Sequence, residues 1–514
     1  GIFSPTEAAG AASLTVVLDA QPTTTITIGI SSSDTTEGTV STASLTFTSG
    51  DWNTAQTVTV TGVDDYVQDG AIAFTITTGA ASSADGNYNL LNPSDVSVTN
   101  ADDDVASIAV TPTAGLTTTE AGGTSTFTVV LTTQPTADVT IGVSSSDTTE
   151  GTASTASLTF TSANWNTAQT VTVTGVDDSL DDGDIAYTIA TAPATSGDPN
   201  YNGTNAADVS ATNADNDTSG FTITPTSGLT TTELGGTATF TVTLTAEPTA
   251  TVTLGLSSSD TTEGTISTAS LVFTSISWNT AQTVTVTGVD DSLDDGTVAY
   301  SVVTAAAASS DTNYNGLNPS DVSVTNTDND TSGFTVTPTS GLATSEAGGT
   351  ATFTVVLTAQ PTADVTVGLS SNDITEGTLG VGSLTFTSAN WATVQTVTVT
   401  GVDDFGNDGD VGYTVTTGAA ASGDSNYNGL DPSDVAVTNL DDDPPGITVS
   451  PASALVTTEA GGPATFSIAL QSQPTADVII GLSSSDTTEG TVSTSSLTFT
   501  TGNWHTAQPV TVTG

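Results

Sequence analysis

Between residues 105 and 217 ten carboxylates stand in clumps: Glu120, Asp147, Glu150, Asp177, Asp178, Asp181, Asp182, Asp184, Asp215 and Asp217. No cationic side chain accompanies them, because the chain of 514 residues has 56 Asp and Glu and no Lys or Arg. Clumped like charges repel unless something neutralises them. An all-oxygen donor set is what a hard cation needs. Calcium takes about six to eight oxygens at flexible geometry, whereas magnesium demands a tight octahedron and keeps its waters. Transition metals favour His or Cys ligands, but the chain has one His and no Cys. Calcium is therefore the expected ion.

The same composition narrows the other chemistries. Nucleic-acid phosphates are bound through cationic side chains, as are anionic lipid surfaces. No apolar run reaches the roughly 18 residues of a membrane span. Neither nucleic acid nor membrane insertion is expected of this segment. Without Cys there is no disulfide and no thiol nucleophile. His505 aligns with Asn53, Asn166, Asn279 and Ala392, so it is not a group that each repeat carries. Paired carboxylates alone would permit glycosidase chemistry, but identical clumps repeated along a chain fit a structural role better. An enzyme is not expected.

The clumps recur because the chain repeats. Trp52, Trp165, Trp278, Trp391 and Trp504 follow one another at steps of 113 residues. Glu7, Glu120, Glu233, Glu346 and Glu459 keep the same step, as do Gly62, Gly175, Gly288, Gly401 and Gly514. A period of this size is a domain in tandem. Boundaries are placed after the acidic triplets ending at Asp104, Asp217, Asp330 and Asp443, giving repeats 1–104, 105–217, 218–330, 331–443 and 444–514. The first lacks an opening strand and the last stops after its fifth, which reads as a window cut from a longer array.

Within 218–330 apolar residues alternate with Thr and Ser over seven short stretches: Phe221–Ile223, Phe240–Leu244, Val252–Leu256, Leu271–Phe273, Val284–Val286, Val298–Val302 and Val322–Val324. Period-two alternation marks half-buried strands, and Thr suits an exposed strand face. The expected fold is all-β: a linear tandem array of seven-stranded immunoglobulin-like sandwiches on a 113-residue period.

Strand parity then predicts where the acids lie. If consecutive strands alternate in direction, the loops after strands one, three, five and seven share one pole. All ten of the clumped carboxylates named above fall in those loops, and the opposite pole is expected to hold neutral loops such as Ser162–Gln169 around Trp165. The predicted ligands of the first repeat are Glu7, Asp34, Glu37, Asp64, Asp65, Asp102 and Asp104. Those of the third are Glu233, Asp260, Glu263, Asp290, Asp291, Asp295, Asp328 and Asp330. Those of the fourth are Glu346, Asp373, Glu376, Asp403, Asp404, Asp408, Asp441 and Asp443. Asp177 and Asp178 are expected to share an ion with Glu120 and with Asp215 or Asp217. Since Asp215-Asn216-Asp217 runs directly into Thr218-Ser219-Gly220, metal there would lock the junction with the next repeat. The repeated Trp is expected to pack in its loop, with the preceding repeat within reach.

Each repeat resembles a Calx-β domain: an acidic residue in Thr-Thr-Glu-Ala-Gly-Gly, a strand ending Thr-Gly-Val-Asp-Asp, and a terminal Asp-rich triplet. The resemblance implies a calcium-binding immunoglobulin-like sandwich with Glu120, Asp177, Asp178, Asp215 and Asp217 at the matching ligand positions. The array is also similar to the repeat tracts of bacterial surface adhesins and filament proteins. The expected role is a calcium-rigidified stalk or filament shaft at the cell surface or in a secreted filament. Its partners would be calcium, neighbouring repeats and copies of itself. The alternative is an adhesin module recognising carbohydrate or protein through its repeated loops.

Overall fold

The computed structural model describes residues 4–514, and among these the ordered elements are strands. The third repeat illustrates the plan. Its strands are β1 Phe221–Thr224, β2 Leu229–Thr232, β3 Thr237–Leu244, β4 Val252–Ser258 and β5 Gly264–Ile266. They continue with β6 Ser270–Phe273, β7 Gln282–Gly288, β8 Val298–Thr304 and β9 Val322–Thr327. These labels are used below for the equivalent strands of every repeat. One sheet runs β1-β3-β7-β5 and the other β2-β9-β8-β4-β6. The alternation is what buries one face of each: Phe240, Val242, Val284 and Val286 from the first sheet meet Val252, Leu254, Phe273 and Val302 from the second, all buried. Each such side chain contributes about 1.5–3 kcal/mol on leaving water.

The immunoglobulin-like sandwich has nine strands where seven were expected. Both additions come from edge strands that change sheets. β1 pairs antiparallel with β3, and beyond Pro225 the chain continues as β2, parallel to β9. Proline has no N–H to donate, so the first ladder cannot run through it. Likewise β5 pairs with β7, and the chain then crosses to pair with β4 as β6. Strands that switch sheets make the corners of a sandwich. Each sheet-switching pair keeps its direction, since β1 and β2 run the same way, as do β5 and β6. The loop parity therefore survives the two extra strands.

Repeat 1 enters with Thr6 bridged in parallel to Ala101, the equivalent of β2 on β9. Repeat 5 carries strands up to Gln508–Thr513. The expectation of a neutral opposite pole is corrected. The β8–β9 loop, which parity assigns to that pole, contains Asp198 and Asp208 in repeat 2. Hydrophobic alternation located the strands well, but it carries no information about acids lying in a long loop.

Candidate metal centre

In repeat 2, Glu120 follows Leu116–Thr119, Glu150 ends the turn after Val139–Ser145, Asp177 and Asp178 follow Gln169–Gly175, and Asp215 and Asp217 follow Val209–Ala214. These are the ends of β2, β4, β7 and β9, all on one pole. The acids gather there in two triads. One carboxylate oxygen from each of Glu120, Asp177 and Asp217 lies within 4.8 Å of the other two, and Glu150, Asp178 and Asp182 do the same. Repeat 1 has Glu37, Asp65 and Asp69 at positions equivalent to the second triad, but its first groups Glu7 and Asp104 with Asp102, the equivalent of Asp215 rather than of Asp177, and repeat 3 likewise groups Glu233, Asp328 and Asp330. Asp177 and Asp178 thus stand in different triads, although Asp178 still raises the pKa of Glu120. The expectation was one ion shared by both with Glu120; the carboxylates of repeat 2 group as two neighbouring triads, one holding Asp177 and the other Asp178. Asp69 was overlooked in the sequence, although it stands 113 residues before Asp182.

The other predicted positions surround these triads. Burial raises Glu263 and Glu376 above the usual carboxylate range, and Asp295 and Asp291 add to the first while Asp408, Asp373 and Asp404 add to the second. Burial likewise raises Asp330, helped by Asp328 and Asp290, and Asp443, helped by Asp403. Asp104 is raised by burial and by Asp64. Asp34, Asp147, Asp260 and Asp373 behave differently. Asp34 and Asp147 are exposed and Asp260 and Asp373 half-buried, and each accepts on Oδ1 from the hydroxyl and N–H of the Thr two residues on, which lowers its pKa and leaves one oxygen for other duty. Asp215 accepts from Gly183 N (2.7 Å) on Oδ2 and from Asp217 N (2.7 Å) on Oδ1. Gly183 has φ +77°, a conformation that glycine adopts without steric cost.

The glutamates are the electrostatic centre. Glu7, Glu120, Glu233 and Glu346 are only 1–3% exposed, and Glu37, Glu150, Glu263 and Glu376 only 5–6%. Burial disfavours the charged form and neighbouring carboxylates add to it. Glu7 is pushed up to about 7 by burial and by Asp102, Asp65, Asp69 and Glu37. Glu346 also reaches about 7: burial raises it, the Asp442 N–H lowers it, and Asp404, Asp441 and Asp408 raise it further.

A buried asparagine missed in the sequence holds the second triad in place. Asn213 Nδ2 donates to Glu150 Oε2 (3.4 Å) and to Val176 O (2.9 Å). Its Oδ1 accepts from Thr118 Oγ1 (3.0 Å), which also contacts the Tyr187 hydroxyl (3.0 Å). The repeated glycines make room for this chain of contacts. A Cβ on Gly175 would fall on Asn213 Oδ1 and Thr119 O, and one on Gly151 would fall on the Tyr187 hydroxyl. The recurrence of Asn100, Asn213, Asn326 and Asn439 at the 113-residue step was the available signal.

The donor set fits a hard cation. Every ligating atom offered is oxygen, and the chain has no Lys or Arg to compensate. Among the described residues four buried side-chain oxygens lack any partner: Glu7 Oε2, Asn100 Oδ1, Asp104 Oδ2 and Asp443 Oδ2. All four lie at these poles. An unpartnered buried carboxylate is costly, and a divalent cation would satisfy it.

The loop carrying these acids also meets the next repeat. Ser179 O, between the Asp177–Asp178 pair and Asp182, accepts from Glu247 N (2.6 Å) of repeat 3. Tyr66 O accepts from Gln134 N (2.7 Å), Ser292 O from Gln360 N (2.6 Å) and Phe405 O from Gln473 N (2.7 Å). From the other side, Asn200 Nδ2 donates to Gln68 O (2.5 Å), and Asn313 and Asn426 reach Asp181 O and Asp294 O in the same way. The repeated Trp reaches the preceding repeat at two junctions, where Tyr66 lies 6.1 Å from Trp165 and Phe405 lies 6.4 Å from Trp504.

Comparison with known proteins bears on this arrangement. No curated protein sequence matches the chain. Among solved structures it is similar to CBD12 of CALX1.2 at 14% identity, covering 42% of this chain and 98% of that one, with a TM-score of 0.22. It is similar to the calcium-binding domain CBD12 of CALX1.1 at 17% identity, covering 38% and 78%, with a TM-score of 0.22. Domains 4–9 of the surface layer protein SbsC align at 13% identity over 90% of this chain and 65% of that one, with a TM-score of 0.21. The Calx-beta domain profile matches residues 3–104, 101–217, 213–331 and 325–444, and the chain therefore belongs to the Calx-beta family as a tandem array of its domains.

Proposed function

We propose that the chain is a calcium-rigidified shaft, a segment of an extracellular stalk or filament whose repeats are locked end to end by ions bound at each acidic pole. One observation carries the reading: in repeat 2 the β7–β8 loop holds Asp177, Asp178 and Asp182 of both triads, and between them the Ser179 carbonyl that docks repeat 3. Glu120, Asp177 and Asp217 would hold one ion, and Glu150, Asp178 and Asp182 a second. Ions on both flanks of the loop would fix its course and hence the contact it makes. Without them, mutual repulsion would loosen the loop and free the linker at 217–220. A site of this kind needs the millimolar calcium found outside cells if its affinity is that of extracellular modules, about 10⁻⁴–10⁻³ M. Supporting context comes from the CALX1.1 domain, described as calcium-binding.

The test is limited proteolysis with a protease that needs no basic residue. In calcium the 217–220 linker should resist cutting. In chelator, or in Asp177→Asn/Asp178→Asn with calcium present, it should be cut while each sandwich stays intact, because the core faces are untouched. Equal cutting under all three conditions would refute the reading.

A further inference from the structure

The four poles are not equivalent. The terminal triplet is Asp102-Asp103-Asp104 after repeat 1 and Asp441-Asp442-Asp443 after repeat 4, but Asp215-Asn216-Asp217 and Asp328-Asn329-Asp330 after repeats 2 and 3. The asparagines act inside the first triad. Asn216 donates to Glu120 Oε2 from its backbone N (3.0 Å) and from Nδ2 (3.3 Å), and Nδ2 also reaches Asp177 Oδ1 (3.1 Å). Asn329 does the same for Glu233 Oε2 (3.0 and 3.2 Å) and Asp290 Oδ1 (3.0 Å). One neutral amide thus covers two anionic oxygens that would otherwise face each other.

At the all-aspartate poles that amide is missing. Glu346 Oε2 keeps only the Asp442 N–H (3.2 Å), and Glu7 Oε2, on a side chain just 1% exposed, keeps nothing. Asp104 Oδ2 and Asp443 Oδ2 are also buried without a partner. Among the described residues every carboxylate oxygen that is both buried and unpartnered belongs to these two poles, and none to the poles with asparagine.

We propose that the middle residue of the triplet sets cation demand, so that one array carries two affinity classes of site: a tight class at Asp103 and Asp442, and a weak class at Asn216 and Asn329. Two effects act in the same direction. Aspartate adds a negative charge beside the triad, and it lacks the side-chain amide N–H groups that compete with a cation for the same lone pairs. Ligand charge count is a principal determinant of calcium affinity in oxygen sites, and by Coulomb's law one unit charge a few ångströms from a divalent cation is worth about tenfold even at the dielectric constant of water. As calcium falls, the junctions after repeats 2 and 3 empty first, yet their amides still bridge the carboxylates. The junctions after repeats 1 and 4 hold their ions longer and have nothing to replace them.

This inference rests on the calcium reading, and calorimetric calcium titration of the full chain separates the two. The wild type is compared with Asp103→Asn/Asp442→Asn and with Asn216→Asp/Asn329→Asp. All four side chains are exposed, and a melting curve in calcium checks that each variant is folded. The first variant should weaken half of the triplet-side sites about tenfold, and the second should tighten the other half about tenfold. The sites on Glu150 and Glu263 should not move. If calcium binds but neither variant shifts any class more than twofold, this inference falls and the calcium reading stands. If the wild type takes up no calcium, both fall.

Discussion

Two buried carboxylates of repeat 3, one at each pole, are solved by opposite means. Asp311, 6% exposed at the pole facing repeat 2, accepts from Thr249 N (2.8 Å) on Oδ2 and from Asn313 N (2.9 Å) on Oδ1. Burial pushes its pKa up, but those N–H bonds outweigh burial and hold it below the usual range. Glu233, 2% exposed at the other pole, receives only the Asn329 donors, and its net shift is upward, from burial and from Asp328, Asp291 and Asp295. Burial of an acid therefore does not define a site. Asp311 is complete within the fold and ties two loops together, whereas Glu233 is left with charge that the fold does not neutralise.

Calcium removal should separate the poles most strongly. A ligand at ten times its Kd stabilises by about 1.4 kcal/mol per site, or about 2.8 kcal/mol for the two triads of a pole, and 1 kcal/mol shifts the melting point of a domain this size by about 4 °C or more. Scanning calorimetry in chelator should show a fall of about 10 °C, recovered by millimolar calcium. An unchanged melting curve would mean that the acidic poles are completed by the fold as Asp311 is.

Next in size is Asp311→Ala, which removes a buried carboxylate and leaves the Thr249 and Asn313 N–H groups without their acceptor, and should cost about 2 kcal/mol. The loss should be equal in calcium and in chelator. Rescue by calcium would erase the distinction between the poles. Glu233→Gln should give a smaller effect with a sign that depends on conditions. In chelator at pH 8 it removes a repelled buried charge and should stabilise by about 1 kcal/mol, whereas in calcium it removes a ligand and should destabilise. Destabilisation in both conditions would show that Glu233 is already neutralised.

The smallest expected effect is a pH slope. Glu7 and Glu346 rise from 4.5 to about 7 in the fold, so the folded state holds more protons than the unfolded one between those values. The stabilisation this brings is fully present below pH 4.5 and lost as pH rises through 7. In chelator the melting point should fall between pH 5 and 7.5, and saturating calcium should abolish the slope. A melting point that rises over that interval in chelator would contradict the direction of both shifts.

Much of this was legible in residue order alone. The step of 113, the alternation of apolar residues with Thr and Ser, and the placing of Glu120, Glu150, Asp177 and Asp217 in loops of one parity required no coordinates, because strand periodicity and loop direction are local properties that repeat along the chain. Tertiary structure decided what depends on direction and distance in space. It divided Asp177 from Asp178, sent β1–β2 and β5–β6 across from one sheet to the other, and satisfied Asp311 while leaving Glu7 Oε2 bare. It also brought Asn216 onto Glu120 across 96 residues of sequence. A carboxylate reads the same in sequence whether or not an N–H group faces it. Only the packing of distant loops determines how many donors arrive, and so which acids still need an ion.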